Sequence, residues 1–101
     1  MSLKKKGTNK FPRISIFKSN KEIYVQIIDD INNKTILSYS SLKIKKKIKT
    51  KIKLSKIVGK KIAYYMLKSN IKKAFFDRKK YKYHGRIKIL IETIRKCGII
   101  I

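Results

Sequence analysis

Apolar and polar residues begin to alternate just after Pro12. Across 13–18, Ile14 and Ile16 fall on one side, and Arg13, Ser15 and Phe17 on the other. That period of two marks a half-buried strand. Ser19, Asn20 and Lys21 carry turn chemistry. A second alternation then sets Ile23, Val25 and Ile27 against Tyr24 and Gln26. Asn32 and Asn33 tolerate the positive φ of a hairpin connection. A third strand over 35–40 places Ile36 opposite Thr35 and Leu37. Three strands joined by short connections predict an antiparallel meander.

From residue 43 to 53 the chain is nearly all Lys and Ile. Ile44, Ile48 and Ile52 recur every fourth position, a pattern open to a basic helical turn or to a loop. Ser55 can cap a helix running to about Ser69, with Ile57, Val58, Ile62, Tyr65 and Met66 as its buried stripe. Gly59 inside that helix costs about 1 kcal/mol relative to Ala, which implies close approach to the sheet. Asn70 suits the helix end. Residues 73–77, carrying Ala74, Phe75 and Phe76, predict a short buried strand. A second helix follows over 86–97, with Ile87, Leu90, Ile91 and Ile94 as its stripe. Arg95 and Lys96 sit favourably in its last turn and Gly98 stops it. The strand-helix-strand crossover favours a parallel fourth strand. The expected fold is therefore α/β: three antiparallel strands, then helix, strand, helix, in a mixed sheet with packed helices. Residues 1–10 read as a short basic arm and 11–101 as a single domain.

Charge changes the picture from fold to function. The 101 residues hold 29 Lys plus Arg against 5 Asp plus Glu, a formal net of +24. A compact domain so charged repels itself. Nucleic acid, which releases counterions when Lys or Arg replaces them at phosphate, is the commonest relief. The basic residues are 25 Lys and only 4 Arg, beside 20 Ile, as an AT-rich bacterial or organelle genome produces. The one cysteine, Cys97, rules out an intrachain disulfide and a cysteine metal cluster, and reads as a small buried hydrophobe near a helix end. No apolar run approaches a membrane span, and residues 1–10 contain no signal-peptide core. These features predict an intracellular protein.

Two constellations carry the candidate chemistry. The first is Phe17, Lys18, Ser19, Asn20, Lys21, Tyr24 and Gln26, with Arg13 on the same strand face as Phe17. Aromatic rings can stack on bases, amides hydrogen-bond, and cations bind phosphate; a half-solvated antiparallel sheet would look the same. The second is Asp77-Arg78-Lys79-Lys80-Tyr81-Lys82-Tyr83-His84-Gly85-Arg86, which packs five cations, two tyrosines and a histidine between a strand and a helix. Interleaved aromatics distinguish it from a solvated charge run. Gly85 permits a tight turn into the helix, whose N-terminal N–H groups suit a phosphate. For His84 a structural hydrogen-bonding role stands beside an RNA contact.

This second stretch resembles the signature of the bacterial-type large-subunit ribosomal protein eighteen family. There an Asp-Arg loop leads to Tyr-x-Tyr-His-Gly-Arg and a helix. The resemblance extends through Pro12-Arg13-Ile14-Ser15-Ile16-Phe17-Lys18-Ser19-Asn20-Lys21, Ile23 to Asp30, Lys34-Thr35-Ile36-Leu37, Val58-Gly59-Lys60 and Arg95-Lys96-Cys97-Gly98. It implies a structural constituent of the large ribosomal subunit that binds 5S ribosomal RNA and also touches 23S ribosomal RNA and neighbouring proteins in the central protuberance. Carried over by position, its RNA contacts are Arg13, Lys18, Ser19, Asn20, Lys21, Tyr24 and Gln26, with Arg78, Lys79, Lys80, Tyr81, Lys82, Tyr83, His84 and Arg86. To these the arm adds Lys4, Lys5 and Lys6. The family usually has a longer, Arg-rich arm. Here residues 43–53, with Lys45, Lys46, Lys47 and Lys49, offer compensating phosphate contacts. Lys79 and Lys80 stand where small residues are usual, and Ile99-Ile100-Ile101 where an aromatic is common.

Two other classes are weaker. A nuclease needs clustered carboxylates and magnesium, and the acids Glu22, Asp29, Asp30, Asp77 and Glu92 form no metal motif. Asp77 reads more simply as a partner for a nearby cation. A membrane-surface helix needs bulky aromatics on its apolar face, and 43–53 has none. The sequence therefore predicts no catalytic residue, no metal, no cofactor, no small-molecule substrate and no membrane partner.

Overall fold

The computed structural model describes residues 6–19, 22–44, 50–77 and 83–101. Strands β1 (Arg13–Lys18), β2 (Ile23–Asp29) and β3 (Lys34–Ser40) form the expected meander. They are followed by a 3₁₀ turn (Ser41–Lys43), helix α1 (Lys51–Lys68), strand β4 (Phe75–Phe76) and helix α2 (Gly85–Lys96). The sheet order is β3-β2-β1-β4, with β4 parallel to β1 and the other pairs antiparallel. The mixed α/β sheet expected from the crossover is the one observed.

Register explains the core. Ile14 lies opposite Ile27 and Ile16 opposite Val25, while Val25 faces Tyr39 and Ile27 faces Leu37. These positions share one face, and both helices cover it. Val58, Ile62, Ala63 and Met66 of α1 meet Ile87, Leu90, Ile91 and Ile94 of α2 in the same cluster. Asn33 adopts φ 51° and Asn70 φ 62°, the left-handed geometry foreseen for the hairpin and the helix end.

Several expectations are corrected. Helix α1 begins a turn earlier than foreseen, because the Thr50 hydroxyl accepts from the Lys53 N–H and caps it. Ser55 is instead buried inside the helix, its hydroxyl donating to the Lys51 carbonyl at 2.9 Å. Tyr65 is 38% exposed; it stands off the buried stripe and packs against Tyr39 and Tyr64. Gly59 does mark a close approach, but to α2 rather than the sheet: a Cβ there would lie 3.0 Å from the Leu90 carbonyl oxygen and from the Thr93 Cβ. The fourth strand is only Phe75–Phe76 and half-buried. Just before it, the Ala74 N–H donates to the Ile100 carbonyl, and Lys73 bridges in parallel to Ile100. A register shift between Ile27 and Ile28 breaks the alternation of β3. Ile36 and Leu37 consequently both lean on the core instead of taking opposite sides.

At the sheet end where β2 finishes, Gly7 is buried beside Arg13 and Ile28. Its N–H donates to Asp30 Oδ2 at 2.7 Å, and the Asp30 N–H returns a bond to the Gly7 carbonyl at 2.7 Å. Packing against the sheet thus starts before Phe11.

Candidate nucleic-acid interface

The helices cover one face of the sheet, so the opposite face is where the first constellation can meet a partner. Phe17 is 45% exposed there and its ring lies 6.0 Å from that of Tyr24. The Gln26 side-chain amide donates to the Tyr24 hydroxyl at 2.9 Å, orienting both half-buried groups. Aromatic faces and an amide share this surface, as the alternation predicted, and Lys18 is exposed at the end of β1. Two members of the same strand face differ. Ser15 is buried. Arg13 is tied to Asp30 through two bonds of 2.9 Å, and its remaining terminal nitrogen faces Asp77 at 3.5 Å. Asp77 therefore has the cationic partner anticipated for it, and Arg13 is engaged within the fold. Its hydrogen bonds hold the Asp30 carboxyl at about 2, below the ordinary 3.8.

The second constellation is joined to the first by Arg86. From the start of α2 its guanidinium reaches the β1–β2 connection, donating to the Ser19 carbonyl at 2.8 Å and the Glu22 carbonyl at 3.5 Å. The same connection is fixed from the other side. The Ser41 hydroxyl donates to the Glu22 carboxylate and accepts the Ile23 N–H at 3.0 Å. Gly85 turns the chain into α2 at φ 56°. His84 is exposed at the N-cap and makes no side-chain cap bond, and no acid occupies the first turn. Tyr83 is half-buried, its ring 6.4 Å from that of Phe76. Two stretches that are distant in the chain thus form one corner: Lys18, Ser19 and Tyr24 on one side, Tyr83, His84 and Arg86 on the other. Lys6 is exposed at the far end of the sheet, next to Gly7. Lys4, Lys5, Asn20, Lys21, Arg78, Lys79, Lys80, Tyr81 and Lys82 lie outside the described residues, as do Lys45, Lys46, Lys47 and Lys49.

One basic surface was not singled out in the sequence. At the sheet end away from the Arg86 corner, a groove of roughly 530 Å³ is lined by Asn9, Lys10, Lys34, Ile36 and residues 69–73, bringing Lys10, Lys34, Lys72 and Lys73 together. Among the described residues no carboxylate lines it. The adjacent pair Lys72-Lys73 was the only local signal; its union with Lys34 depends on the β2–β3 register.

Glu22, Asp29, Asp30 and Asp77 are used inside the fold. Asp29 is buried and accepts from the Ile31 and Asn32 backbone and the Asn32 amide, closing the β2–β3 turn. The Asn32 amide holds its carboxyl below the ordinary range against the burial that would raise it. Among the described residues no three His, Cys, Asp or Glu side chains could hold a metal ion, and no helix is long and apolar enough to cross a membrane.

Residues 2–101 match the family model described as ribosomal L18 of archaea, bacteria, mitochondria and chloroplast. The chain is 46% identical over 103 residues to the large ribosomal subunit protein uL18c of Gracilaria tenuistipitata, covering 98% of each. It is 47% identical over 98 residues to uL18c of Phaeodactylum tricornutum, covering 93% of this chain and 73% of that one. It is 42% identical over 96 residues to uL18 of Prosthecochloris aestuarii, covering 93% and 81%.

Proposed function

Because this chain belongs to the ribosomal L18 family, and is a structural constituent of the large ribosomal subunit rather than an enzyme, we propose that its RNA partner is 5S ribosomal RNA and that it helps attach that RNA to 23S ribosomal RNA in the central protuberance. The observation that carries this reading is the Arg86 bridge to Ser19, which makes one surface of the two RNA-like constellations. Lys18, Ser19, Tyr24 and Gln26 supply cation, hydroxyl, ring and amide from the sheet. Tyr83, His84 and Arg86 supply the helix side. Asn20, Lys21 and the cations from Arg78 to Lys82 adjoin them in the chain, and Lys4, Lys5 and Lys6 add charge from the arm. Arg13 fixes the opposite end of the sheet through Asp30.

The mechanism is neutralisation of phosphate with the sheet face setting register. Paired RNA hides its base edges in a deep, narrow groove, so recognition goes through backbone shape and unpaired bases. The lysine groove at the other end gives a second polyanion surface, well separated from the first, and suits the 23S contact. Other proteins of the central protuberance would complete the surroundings.

Footprinting the purified chain on 5S ribosomal RNA tests the reading. Protection at sub-micromolar protein in moderate salt is expected; its absence overturns the assignment. Changing Lys34, Lys72 and Lys73 to Gln should weaken capture of 23S fragments while leaving the 5S footprint intact. Equal loss of both would reject the division into two surfaces.

A further inference from the structure

Beside the Arg86 corner, the outer edge of the sheet holds a cavity of roughly 370 Å³ lined by Phe75, Phe76, Tyr83, Ile91, Arg95 and Ile101. We propose that this cavity receives a single unstacked RNA base, held against Tyr83, Phe76 and the Arg95 guanidinium. The inference rests on the RNA-binding reading above and adds a residue, Arg95, that no contact surface has yet used.

The argument begins with shape. The volume falls in the range of small-molecule sites, about 300–1,000 Å³, where an apolar lining meets a few placed polar groups. The Phe76 and Tyr83 rings stand 6.4 Å apart at 52°, so they form the walls of a cleft rather than a closed stack. Arg95 is exposed, donates to the Tyr83 hydroxyl at 3.2 Å, and holds its guanidinium carbon 6.0 Å from the Tyr83 ring centre. That bond holds a planar cation over an aromatic ring, the two kinds of platform on which single-stranded bases stack.

Main-chain groups complete the cleft. The N–H groups of Phe75 and Asp77 donate to the carbonyls of Pro12, just before β1, and Ile14 within it. Strand alternation therefore turns the Phe76 N–H and C=O outward, to the edge where the Ala74 N–H already meets Ile100. The Phe76 wall of the cleft thus offers a base a backbone donor and acceptor. An apolar protein segment is the competing occupant. Among the described residues the cavity's one charged side chain is a cation, on a chain of net charge +24, and Tyr83 runs directly into His84 and Arg86 of the proposed RNA surface. Charge and continuity both favour nucleic acid.

The test uses the full chain and 5S ribosomal RNA, wild type against Arg95→Lys and Tyr83→Leu. Arg95→Lys keeps the charge but removes the planar fork; Tyr83→Leu keeps an apolar wall but removes the stacking face. Each should weaken binding between about fivefold and a hundredfold, with the slope of affinity against salt unchanged because no charge is lost. 4-Thiouridine placed throughout the RNA should cross-link to Phe76 or Tyr83. Arg95 is exposed, so its variant remains informative if Tyr83→Leu fails to fold. If wild type binds and Arg95→Lys stays within twofold with no cross-link in the cavity, this inference alone is overturned. The same holds if a photoreactive phenylalanine analogue at Phe76 captures a protein instead of RNA in assembled subunits. If wild type does not bind 5S ribosomal RNA, the RNA assignment fails and takes the cavity's role with it.

Discussion

Asp30 receives two bonds from Arg13 and one from the Gly7 N–H. Since its carboxyl ionises at about 2 in the folded chain against an ordinary 3.8, the clamp is fully stabilising above the unfolded value and is lost as pH falls through the folded one. Urea midpoints followed from about pH 5 down to pH 2 should therefore drop more steeply for wild type than for Asp30→Asn. At neutral pH that variant should cost about 1.5–3 kcal/mol, the range for hydrogen bonds to charged groups. Gly59 offers a second test at this scale. Ala would gain about 1 kcal/mol of helix propensity, but its Cβ meets the Leu90 carbonyl oxygen at 3.0 Å. That atom belongs to the backbone of α2 and moves only with the helix, so overpacking of about 1–3 kcal/mol wins. Gly59→Ala should lower the urea midpoint, and Gly59→Val more so. The glycine was legible in the sequence as a sign of close approach. Which neighbour it approaches was not, because helix-helix and helix-sheet contacts leave the same mark in a single chain.

Among the elements, the strands were the most legible: Ile14, Ile16, Ile23, Val25 and Ile27 alternate, and their register follows. Boundaries were less so. Thr50 and Ser55 are both competent caps, and only the packing of Ser55 against the interior decides between them. The candidate surface was legible as two separate clusters, but not as one site. The link is made by Arg86, which the sequence suggested as a phosphate contact and which the fold uses to hold the β1–β2 connection to α2. If Arg86 acts chiefly by position, Arg86→Lys should weaken 5S binding several-fold while the salt slope stays constant. A lysine carries the charge but cannot span two carbonyls in a fixed fork. Full binding by Arg86→Lys, with affinity and slope both lost only on Arg86→Gln, would instead mark a direct phosphate contact.

At the scale of the whole molecule, 29 cations on 101 residues dominate. Self-repulsion is screened by salt, so the thermal midpoint of the free chain should rise as salt is raised from about 50 to 500 mM. Adding 5S ribosomal RNA at low salt should raise it further. A ligand at a hundredfold excess over its dissociation constant adds about 2.7 kcal/mol. In the complex the salt trend should reverse, because salt then weakens the binding that stabilises the fold. A midpoint indifferent to both would contradict the electrostatic account. Composition announced this charge. The gathering of Lys10, Lys34, Lys72 and Lys73 at one groove needed the fold, since each lysine alone looks like any other.

β1 takes one neighbour from residues 23–28 and the other from 75–76. A nascent chain emerging from its N-terminus therefore completes the meander long before β4 exists. Until α1, β4 and α2 have been made, the central strand keeps an open edge, and Ile14, Ile16, Val25 and Ile27 lack the helices that will cover them. Such an edge invites pairing between chains. Residues 1–40 already carry eight Lys plus Arg against three Asp plus Glu, and that like charge opposes the approach of a second copy.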